Sequence, residues 1–211
     1  MEAIMIINLV DVEQLSIKAE SVDFQYDMYK KVCEKFTDFE QSVLWQCMEA
    51  KKNEALHRQL NKIVKKHLTK SPYQLYRGIS KSTKELIKDL QVGEVFSTNR
   101  VDSFTTSLHT ACGFSYVEYF TEIIFRLKTD KAFNYSDHIS DIILSSPNTE
   151  FKYTYEDTDG LDSERTDNLM MIVREQEWMI PIGKYKITSI SKEKLHDSFG
   201  TFKVYDIEVV E

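Results

Sequence analysis

The stretch EQEWMIPIGKYKITSI, residues 175–190, has the pattern of two β-strands joined by a short turn. QEWMI (176–180) and KYKITSI (184–190) favour strands, and the intervening PIG contains two strong turn formers. This stretch therefore predicts a β-hairpin. Further segments that favour strands lie on both sides of it in the sequence: QLYRGIS (74–80), VGEVF (92–96), SFTTSL (103–108), EIIFRLK (122–128) and FKVYDIEVV (202–210).

The first third of the chain has helical periodicity instead. Residues 53–68 carry apolar side chains every three or four positions, which places them on one helix face. Residues 23–50 have the same spacing, at Phe24, Met28, Val32, Phe36, Phe39 and Val43. Helices followed by strands favour the α+β class over an alternating β/α fold. We therefore expect one domain over residues 1–211, mainly helical in 1–72 and β-rich in 73–211.

Three other segments carry local predictions. Residues 4–10 (IMIINLV) read as a short strand or an apolar lead-in. Ser82 followed by Glu85 has the spacing of a capping box, which predicts a helix over 82–90. Residues 134–168 are polar and rich in turn formers, which predicts a long loop with DIILS (141–145) as the one strand inside it.

Composition limits the classes of function. The chain has 211 residues and a formal net charge of −7, which argues against a globally basic nucleic-acid binder. The charge is uneven, because residues 51–70 hold seven Lys or Arg and one Glu, whereas residues 150–167 hold seven acids and two bases. The N-terminus has no basic segment before its apolar residues and no apolar run of 18, so neither a signal peptide nor a membrane span is expected.

Metal and thiol chemistry have little support in the sequence. The five histidines are scattered and the three cysteines have no paired spacing, so we expect no metal site. An odd number of cysteines also argues against a disulfide framework and fits a reducing compartment. Cys112 is best explained as a small buried apolar residue.

Two glutamates form the first candidate catalytic group. Glu175 and Glu177 precede or enter a predicted strand, where side chains two positions apart share a face. One carboxylate could stabilise developing positive charge while the other handles a proton. Two solvated glutamates at a sheet edge remain the simpler alternative for an isolated pair of this kind.

Arg77 and a run of hydroxyls are the other candidates. Arg77 lies inside the apolar strand LYRGI, where a guanidinium needs an anionic partner, either a phosphate or a local acid. Gly78 would let a ligand approach the backbone. Thr105 and Ser107 would share one face of a strand, with Thr106 on the other, although Thr also favours strands for its own sake.

In this order, the three motifs resemble the R, S-T-S and E-x-E signature of cholera-toxin-like mono-ADP-ribosyltransferases. The resemblance rests on Arg77, on Thr105-Thr106-Ser107, and on Glu175-Gln176-Glu177, and it covers about residues 72–190. The whole chain is also similar to the small Mod transferases of T4-like bacteriophages. This implies an α+β fold in which N-terminal helices precede two packed, mostly antiparallel β-sheets that form a cleft for NAD.

The resemblance also implies roles for these residues. Arg77 would hold the phosphate or ribose region of NAD+, and the Gly78 backbone would bond the nicotinamide amide. Thr105 would orient Glu177, which stabilises the oxocarbenium-like transition state as nicotinamide leaves, while Glu175 would receive the acceptor guanidinium. Supporting roles in the cleft would fall to Thr106 and Ser107, and either Phe114 or Tyr116 would stack on nicotinamide. The first hydroxyl is Thr105, where the family pattern has Ser.

The expected activity is NAD-dependent transfer of ADP-ribose to arginines of host proteins in the translation and transcription machinery. The expected location is the cytoplasm of the infected bacterium. Two alternatives stay open: an NAD glycohydrolase that uses water as acceptor, and a non-enzymatic module that binds RNA or protein through the basic helix 51–70. That helix could also bring RNA-associated targets to an enzyme, although runs of charge are usually solvated helix faces.

Overall fold

The computed structural model describes residues 9–48, 53–145 and 161–210. The α-helices in these ranges are Leu9–Lys18 (α1), Val22–Lys35 (α2), Asp38–Gln46 (α3), Glu54–Lys66 (α4), Lys81–Ile87 (α5), Leu108–Gly113 (α6), Tyr135–Ser145 (α7) and Leu161–Glu175 (α8). A π-helical turn, Phe114–Glu118, follows α6. The strands are Thr69–Lys70 (β1), Leu75–Gly78 (β2), Val95–Phe96 (β3), Asp102–Thr105 (β4), Ile123–Lys128 (β5), Lys131–Ala132 (β6), Glu177–Ile180 (β7), Lys184–Glu193 (β8) and Phe202–Val210 (β9).

Seven of the strands form one sheet in the order β3-β8-β9-β5-β2-β4-β7, and β1 pairs with β6 in a second, two-stranded sheet. Neighbouring strands are antiparallel except β5 and β9, which are parallel. The α+β class with two mostly antiparallel sheets is therefore confirmed. The predicted hairpin is wrong, because β7 pairs with β4 and β8 pairs with β3 and β9.

The short link between β7 and β8 implies that the large sheet bends strongly. Five strand spacings of about 4.8 Å would separate β7 from β8 by roughly 24 Å in a flat sheet. Residues 180 to 184 can span at most about 14 Å. The two ends of the sheet must therefore approach one another, and all seven strands contribute to one hydrophobic cluster, including Phe96, Phe104, Phe125, Trp178, Ile187 and Tyr205.

Contacts divide the chain into two compact units, each containing two segments of the sequence. The helical unit comprises Met1–Leu56 and Ser136–Glu175, and the sheet unit comprises His57–Tyr135 and Gln176–Glu211. The helices of residues 23–50 were predicted as one continuous stripe, but Phe36 and Thr37 separate α2 from α3. Because the Thr37 capping box starts a new helix, the phase is reset and Phe39 is 62% exposed.

The predicted loop over 134–168 is largely helical where the structure describes it. The segment DIILS, predicted as a strand, belongs to α7, where Ile139, Ile142 and Ile143 are buried at helical spacing. A short apolar run fits a buried helix as well as a strand, and the periodicity alone could not separate the two. Most of the acidic segment 150–167 lies outside the described residues.

Several element boundaries also differ from the predictions. Helix α5 is capped by Ser80, which accepts a hydrogen bond from Thr83 N, and not by Ser82. In the segment 92–96 only Val95 and Phe96 form a strand. Leu9 begins α1, and the rest of the predicted strand at 4–8 lies outside the described residues.

The basic segment forms the amphipathic helix that was predicted. Leu60, Ile63 and Val64 of α4 are buried, whereas Lys62 and Lys65 are exposed. Across the residues that the structure describes, no helix is both long and apolar enough to cross a membrane.

Candidate active site

The three sequence motifs lie on neighbouring strands of the large sheet. Arg77 is in β2, Thr105 ends β4 and Glu177 begins β7, and these strands are adjacent in the order β2-β4-β7. Thr105 is the direct cross-strand partner of both Tyr76 and Glu177. Opposite residues of antiparallel strands share a face with Cβ atoms about 4.5–5.5 Å apart, so the side chains of Thr105 and Glu177 leave the sheet next to one another.

Arg77 has a carboxylate partner inside the protein but keeps unused donors. Its Nη1 lies 3.0 Å from Oδ1 of Asp102 and donates to the Ser103 carbonyl oxygen at 2.9 Å. A guanidinium has five N–H donors, and those on Nε and Nη2 contact no acceptor among the described residues. The side chain is 18% exposed, so three donors remain available to a ligand.

Asp102 is a buried carboxylate that contacts several side chains of the site, and the sequence did not indicate it. Its side chain is 3% exposed, and it contacts Arg77, Arg100 (Nε 3.3 Å from Oδ1) and the Tyr185 hydroxyl, which donates to Oδ2 at 3.0 Å. Burial, and then the nearby Asp102 carboxylate, raises the pKa of Tyr185, so its phenol stays protonated and continues to donate. Two arginines share this single carboxylate, which leaves net positive charge beside Arg77.

Gly78 allows a close approach, but the group that approaches belongs to the protein. A β-carbon placed at Gly78 would lie 2.5 Å from the Ala111 carbonyl oxygen and 2.6 Å from Ser115 N. The space that a side chain at Gly78 would fill is therefore occupied by α6 and the π-helical turn, and not left open for a ligand as expected. The peptide groups of Gly78 face β4 and not β5. Ile79 N bonds to Ile123 O of β5, and because successive residues of a strand direct their N–H and C=O groups to opposite sides, those of Gly78 are directed toward β4.

The hydroxyl run does not form one continuous strand. Strand β4 ends at Thr105, so the expectation that Thr105 and Ser107 share a strand face is wrong. Ser107 is the N-cap of α6 and accepts a hydrogen bond from Thr110 N, while its own N–H donates to Thr105 Oγ1 at 2.8 Å. The Thr106 hydroxyl donates to the side-chain oxygen of Gln176.

The two glutamates are not on one strand. Glu175 is the last residue of α8, Glu177 is the first residue of β7, and Gln176 between them has φ of +46°. A left-handed residue reverses the local chain direction, so the expected same-face spacing of a strand does not apply. Contacts of Gln176 with Thr106 fix this turn, since the Gln176 carbonyl also accepts from Thr106 N at 3.4 Å.

The two aromatic candidates have different surroundings. Cβ of Phe114 would lie 2.9 Å from a β-carbon at Gly78, and its ring stacks on Tyr119 with centroids 6.0 Å apart. Tyr116 packs instead against Phe199 and Phe202. Phe114 is therefore the aromatic that lies next to Gly78.

Groups of metal-binding type do not cluster in the described ranges, where no three His, Cys, Asp or Glu residues come together. Cys112 is fully buried, as the sequence predicted, and burial raises the pKa of its thiol to about 11. The thiol is therefore protonated at neutral pH and is a poor nucleophile.

Arg77, Thr105 beside Glu177 and the helix-to-strand turn at residues 175–177 are the positions at which the sequence resembles the NAD-dependent mono-ADP-ribosyltransferases. Comparison with known proteins agrees with this class. The chain belongs to the family described as Bacteriophage T4 Mod ADP-ribosyltransferase, whose sequence model matches residues 4–210.

Two relatives from Enterobacteria phage T4 carry the same activity in their names. The chain is 96% identical over 207 residues to NAD–protein ADP-ribosyltransferase modB, covering 98% of this chain and all of that protein. It is 28% identical over 157 residues to NAD–protein ADP-ribosyltransferase modA, covering 72% of each. The solved structure of Plx2a, an ADP-ribosyltransferase toxin from Paenibacillus larvae, superposes with a TM-score of 0.49 at 11% identity, covering 93% of this chain and 96% of that one. NAD is therefore a co-substrate of this enzyme, and proteins are its acceptors.

Proposed function

We propose that this enzyme transfers ADP-ribose from NAD+ to arginine side chains of host proteins. The observation that carries the proposal is the direct pairing of Thr105 with Glu177, one strand away from a partly unoccupied Arg77 guanidinium. The carboxylate and its neighbouring hydroxyl thus lie on one face of β7 and β4, and the Arg77 guanidinium lies on the adjacent strand, on the face of Asp102 and Phe104. A negatively charged dinucleotide and a cleavage that develops positive charge need those three groups.

The residues around Arg77 suit the diphosphate of NAD+. Three N–H donors of Arg77 contact no described acceptor, and Arg100 adds a second cation against the single Asp102 carboxylate. A planar guanidinium binds phosphate oxygens in pairs. The Gly78 peptide groups, directed toward β4, would bond the nicotinamide amide, and Phe114 would lie against the ring.

Glu177 is proposed as the catalytic carboxylate. NAD+ supplies an N-glycosidic bond whose breakage leaves positive charge on the ribose, and a fixed carboxylate lowers the energy of that charge. Thr105 would orient Glu177 from the opposite strand, and Thr106 and Ser107 would hold the adjoining turn and helix. Positioned electrostatic groups of this kind typically contribute about 10²–10³ in kcat.

Glu175 is proposed to receive the acceptor. A carboxylate accepts two parallel hydrogen bonds from a guanidinium and also carries the opposite charge, whereas a glutamine side chain is neutral and has only one acceptor oxygen. As the bond to the ribose carbon forms, one guanidinium N–H proton must leave, and the Glu175 carboxylate can accept it. This role favours arginine over the other acceptor side chains.

The proposed acceptors are proteins of the host translation and transcription machinery, modified in the cytoplasm of the infected bacterium. The exposed lysines of α4 would help to bring ribosome- or RNA-associated targets to the enzyme. Reversing the charges of Lys62, Lys65 and Lys66 should then change which proteins are labelled. An unchanged set of labelled proteins would remove α4 from target choice.

The test uses labelled NAD+ with lysate of host cells, followed by site localisation on the labelled proteins. Glu177→Ala should reduce labelling by about 10²–10³-fold, whereas Glu208→Ala, an exposed glutamate of β9, should not change it. Labelled residues other than arginine would refute the acceptor assignment. Undiminished labelling by Glu177→Ala would refute the catalytic assignment.

Glu175→Gln separates transfer from hydrolysis. If Glu175 serves the acceptor alone, this variant should release nicotinamide from NAD+ at a near-parental rate while protein labelling falls. Equal loss of both reactions would assign Glu175 to NAD cleavage itself. Nicotinamide release without protein labelling by the parent enzyme would instead support a glycohydrolase.

A further inference from the structure

A cavity of about 410 Å³ lies beside strands β5, β8 and β9 of the large sheet, and not beside the strands that carry Thr105 and Glu177. It is formed by α5, the residues that enter β5, the end of β8 and the start of β9. Strand β2 stands between this part of the sheet and the catalytic strands β4 and β7. The cavity is therefore lined by no residue of the catalytic strands β4 and β7.

Four lysines from three elements line this cavity. Lys84 is in α5, Lys88 follows that helix directly, Lys192 is in β8 and Lys203 in β9, and one carboxylate, Glu122, lies among them. The Lys88 ammonium donates to Glu85 at 3.1 Å, and that of Lys203 lies 4.6 Å from the Tyr205 ring centroid. Within the described ranges, Lys84 and Lys192 contact no carboxylate. Positive charge is thus in excess in a concave site.

The strand register gives a second sign that this surface suits an anion. Lys192 and Lys203 are direct cross-strand partners on β8 and β9. Like charges directly opposite one another destabilise an antiparallel pair. The two lysines would cease to be unfavourable neighbours if an anion bound between them.

The chain next to the cavity is also held in an uncommon conformation. Thr121, which lines the cavity, is flanked by Phe120 and Glu122, and both have φ of +53°. Neither residue is glycine, and such backbone strain collects at ligand sites. The Thr121 hydroxyl bonds to the Ile79 carbonyl and so ties this segment to the end of β2.

We propose that the four-lysine cavity binds a polyphosphate group, as carried by nucleoside di- and triphosphates. Ammonium groups act as point charges for phosphate, and four of them around one cavity match a ligand with several negative charges. The volume is within the range of nucleotide-sized sites. The same chemistry could come from a free nucleotide or from the diphosphate of NAD+.

The direct test is calorimetric titration of the full chain with inorganic tripolyphosphate at low and moderate salt. The parent protein should show one saturable site whose affinity falls with salt. Lys84→Ala/Lys192→Ala should weaken binding about tenfold or more, since charge-assisted contacts to phosphate are lost. The matched control, Lys18→Ala/Lys35→Ala at the ends of α1 and α2, removes the same charge at exposed positions and should change affinity by less than about twofold.

Two results would overturn the proposal. One is the absence of saturable binding by the parent protein, and the other is equal weakening in both double variants. Thermal unfolding provides a second measurement, because a ligand that binds the folded state raises Tm. At the same concentration, tripolyphosphate should raise the Tm of the parent and of the control by similar amounts, and that of Lys84→Ala/Lys192→Ala by clearly less.

A competition arm distinguishes the two sources of polyphosphate. We expect saturating NAD+ to leave tripolyphosphate binding unchanged, which would assign the cavity to a separate phosphorylated ligand. If NAD+ displaces tripolyphosphate and the double variant raises KM for NAD+ without lowering kcat, the cavity holds the diphosphate of NAD+ itself, and the assignment of that diphosphate to Arg77 is wrong. Both results support the polyphosphate assignment and differ only in its source.

Discussion

Arg77 and Arg126 lie on the neighbouring strands β2 and β5, yet their guanidinium groups are used in opposite ways. Arg126 forms paired hydrogen bonds with Asp206 and with Glu193, so its positive charge faces two carboxylates. Arg77 bonds through one nitrogen only and shares Asp102 with Arg100. A saturated guanidinium can only hold the fold together, whereas an unsaturated one beside excess positive charge can bind an anion.

The largest expected effect is on catalysis, from Arg77→Met. If the free donors of Arg77 hold the diphosphate, kcat/KM for NAD+ should fall about 100-fold, equivalent to about 2.7 kcal/mol. Stability should change little, because Arg100 remains as a counter-charge for Asp102. Steady-state kinetics and urea unfolding measure the two quantities, and a loss of stability with unchanged kinetics would make the two arginines equivalent.

Arg126→Met should have the reverse profile. Removing this cation leaves Asp206 and Glu193 close together without a partner, at a cost of about 2 kcal/mol in the free energy of unfolding. The figure is below that of a fully buried pair, because both carboxylates are a quarter to a third exposed. Urea unfolding measures it. The kcat/KM of the folded variant should stay within about threefold of the parent value, and a larger fall would give Arg126 a role in the site.

Tyr185→Phe tests whether Asp102 positions the Arg77 guanidinium. The variant removes the hydrogen bond to Asp102 and leaves the ring packing, so the free energy of unfolding should fall by about 1 kcal/mol. KM for NAD+ should rise about two- to threefold if Asp102 positions Arg77, while kcat stays unchanged. A drop in stability with no change in KM would limit Asp102 to a structural role.

The smallest effect is a pH dependence of stability that comes from the Arg126 network. Hydrogen bonds from Arg126 hold the pKa values of Asp206 and Glu193 below their usual range. Carboxyls with a lowered pKa in the folded state stabilise it above their ordinary pKa, near 4, and lose that contribution as the pH falls toward the folded-state value. The parent should lose about 0.5 kcal/mol more than Arg126→Met between pH 6 and pH 3.5. Parallel losses in urea unfolding would contradict this explanation.

The difference between the two arginines was not visible in the sequence. Arg77 stood out because its strand is otherwise apolar, but its partner Asp102 is 25 positions away, and their contact depends on the pairing of β2 with β4. The same holds for Arg126 and Asp206, which face each other only through the β5–β9 register. Sequence spacing identifies residues on one face of an element, whereas partners across strands follow from register.

The motifs were easier to locate than the elements that carry them. Arg77, Thr105 and Glu177 were expected in one cleft, and the structure places their strands side by side. Glu175 was expected at the entrance to the strand of Glu177 and on the same face, but the turn at Gln176 depends on its bonds with Thr106, some 70 positions earlier. The predicted hairpin failed for a related reason, because the apolar β7 is buried against the edge of β4 and not against its neighbour in sequence.

Strand β9 comes last among the strands in sequence but lies third in the seven-stranded order, between β8 and β5. Its pairing with β5 joins residues roughly eighty positions apart, as in Ile123 with Lys203. The chain is synthesised from its N-terminus, so β2 and β5 are made well before residues 202–210, and the sheet cannot form completely until those residues are present. Contacts this distant in sequence also slow folding. The enzyme should therefore acquire activity only after residues 202–210 have been made, and shorter nascent chains that lack β9 should not cleave NAD+.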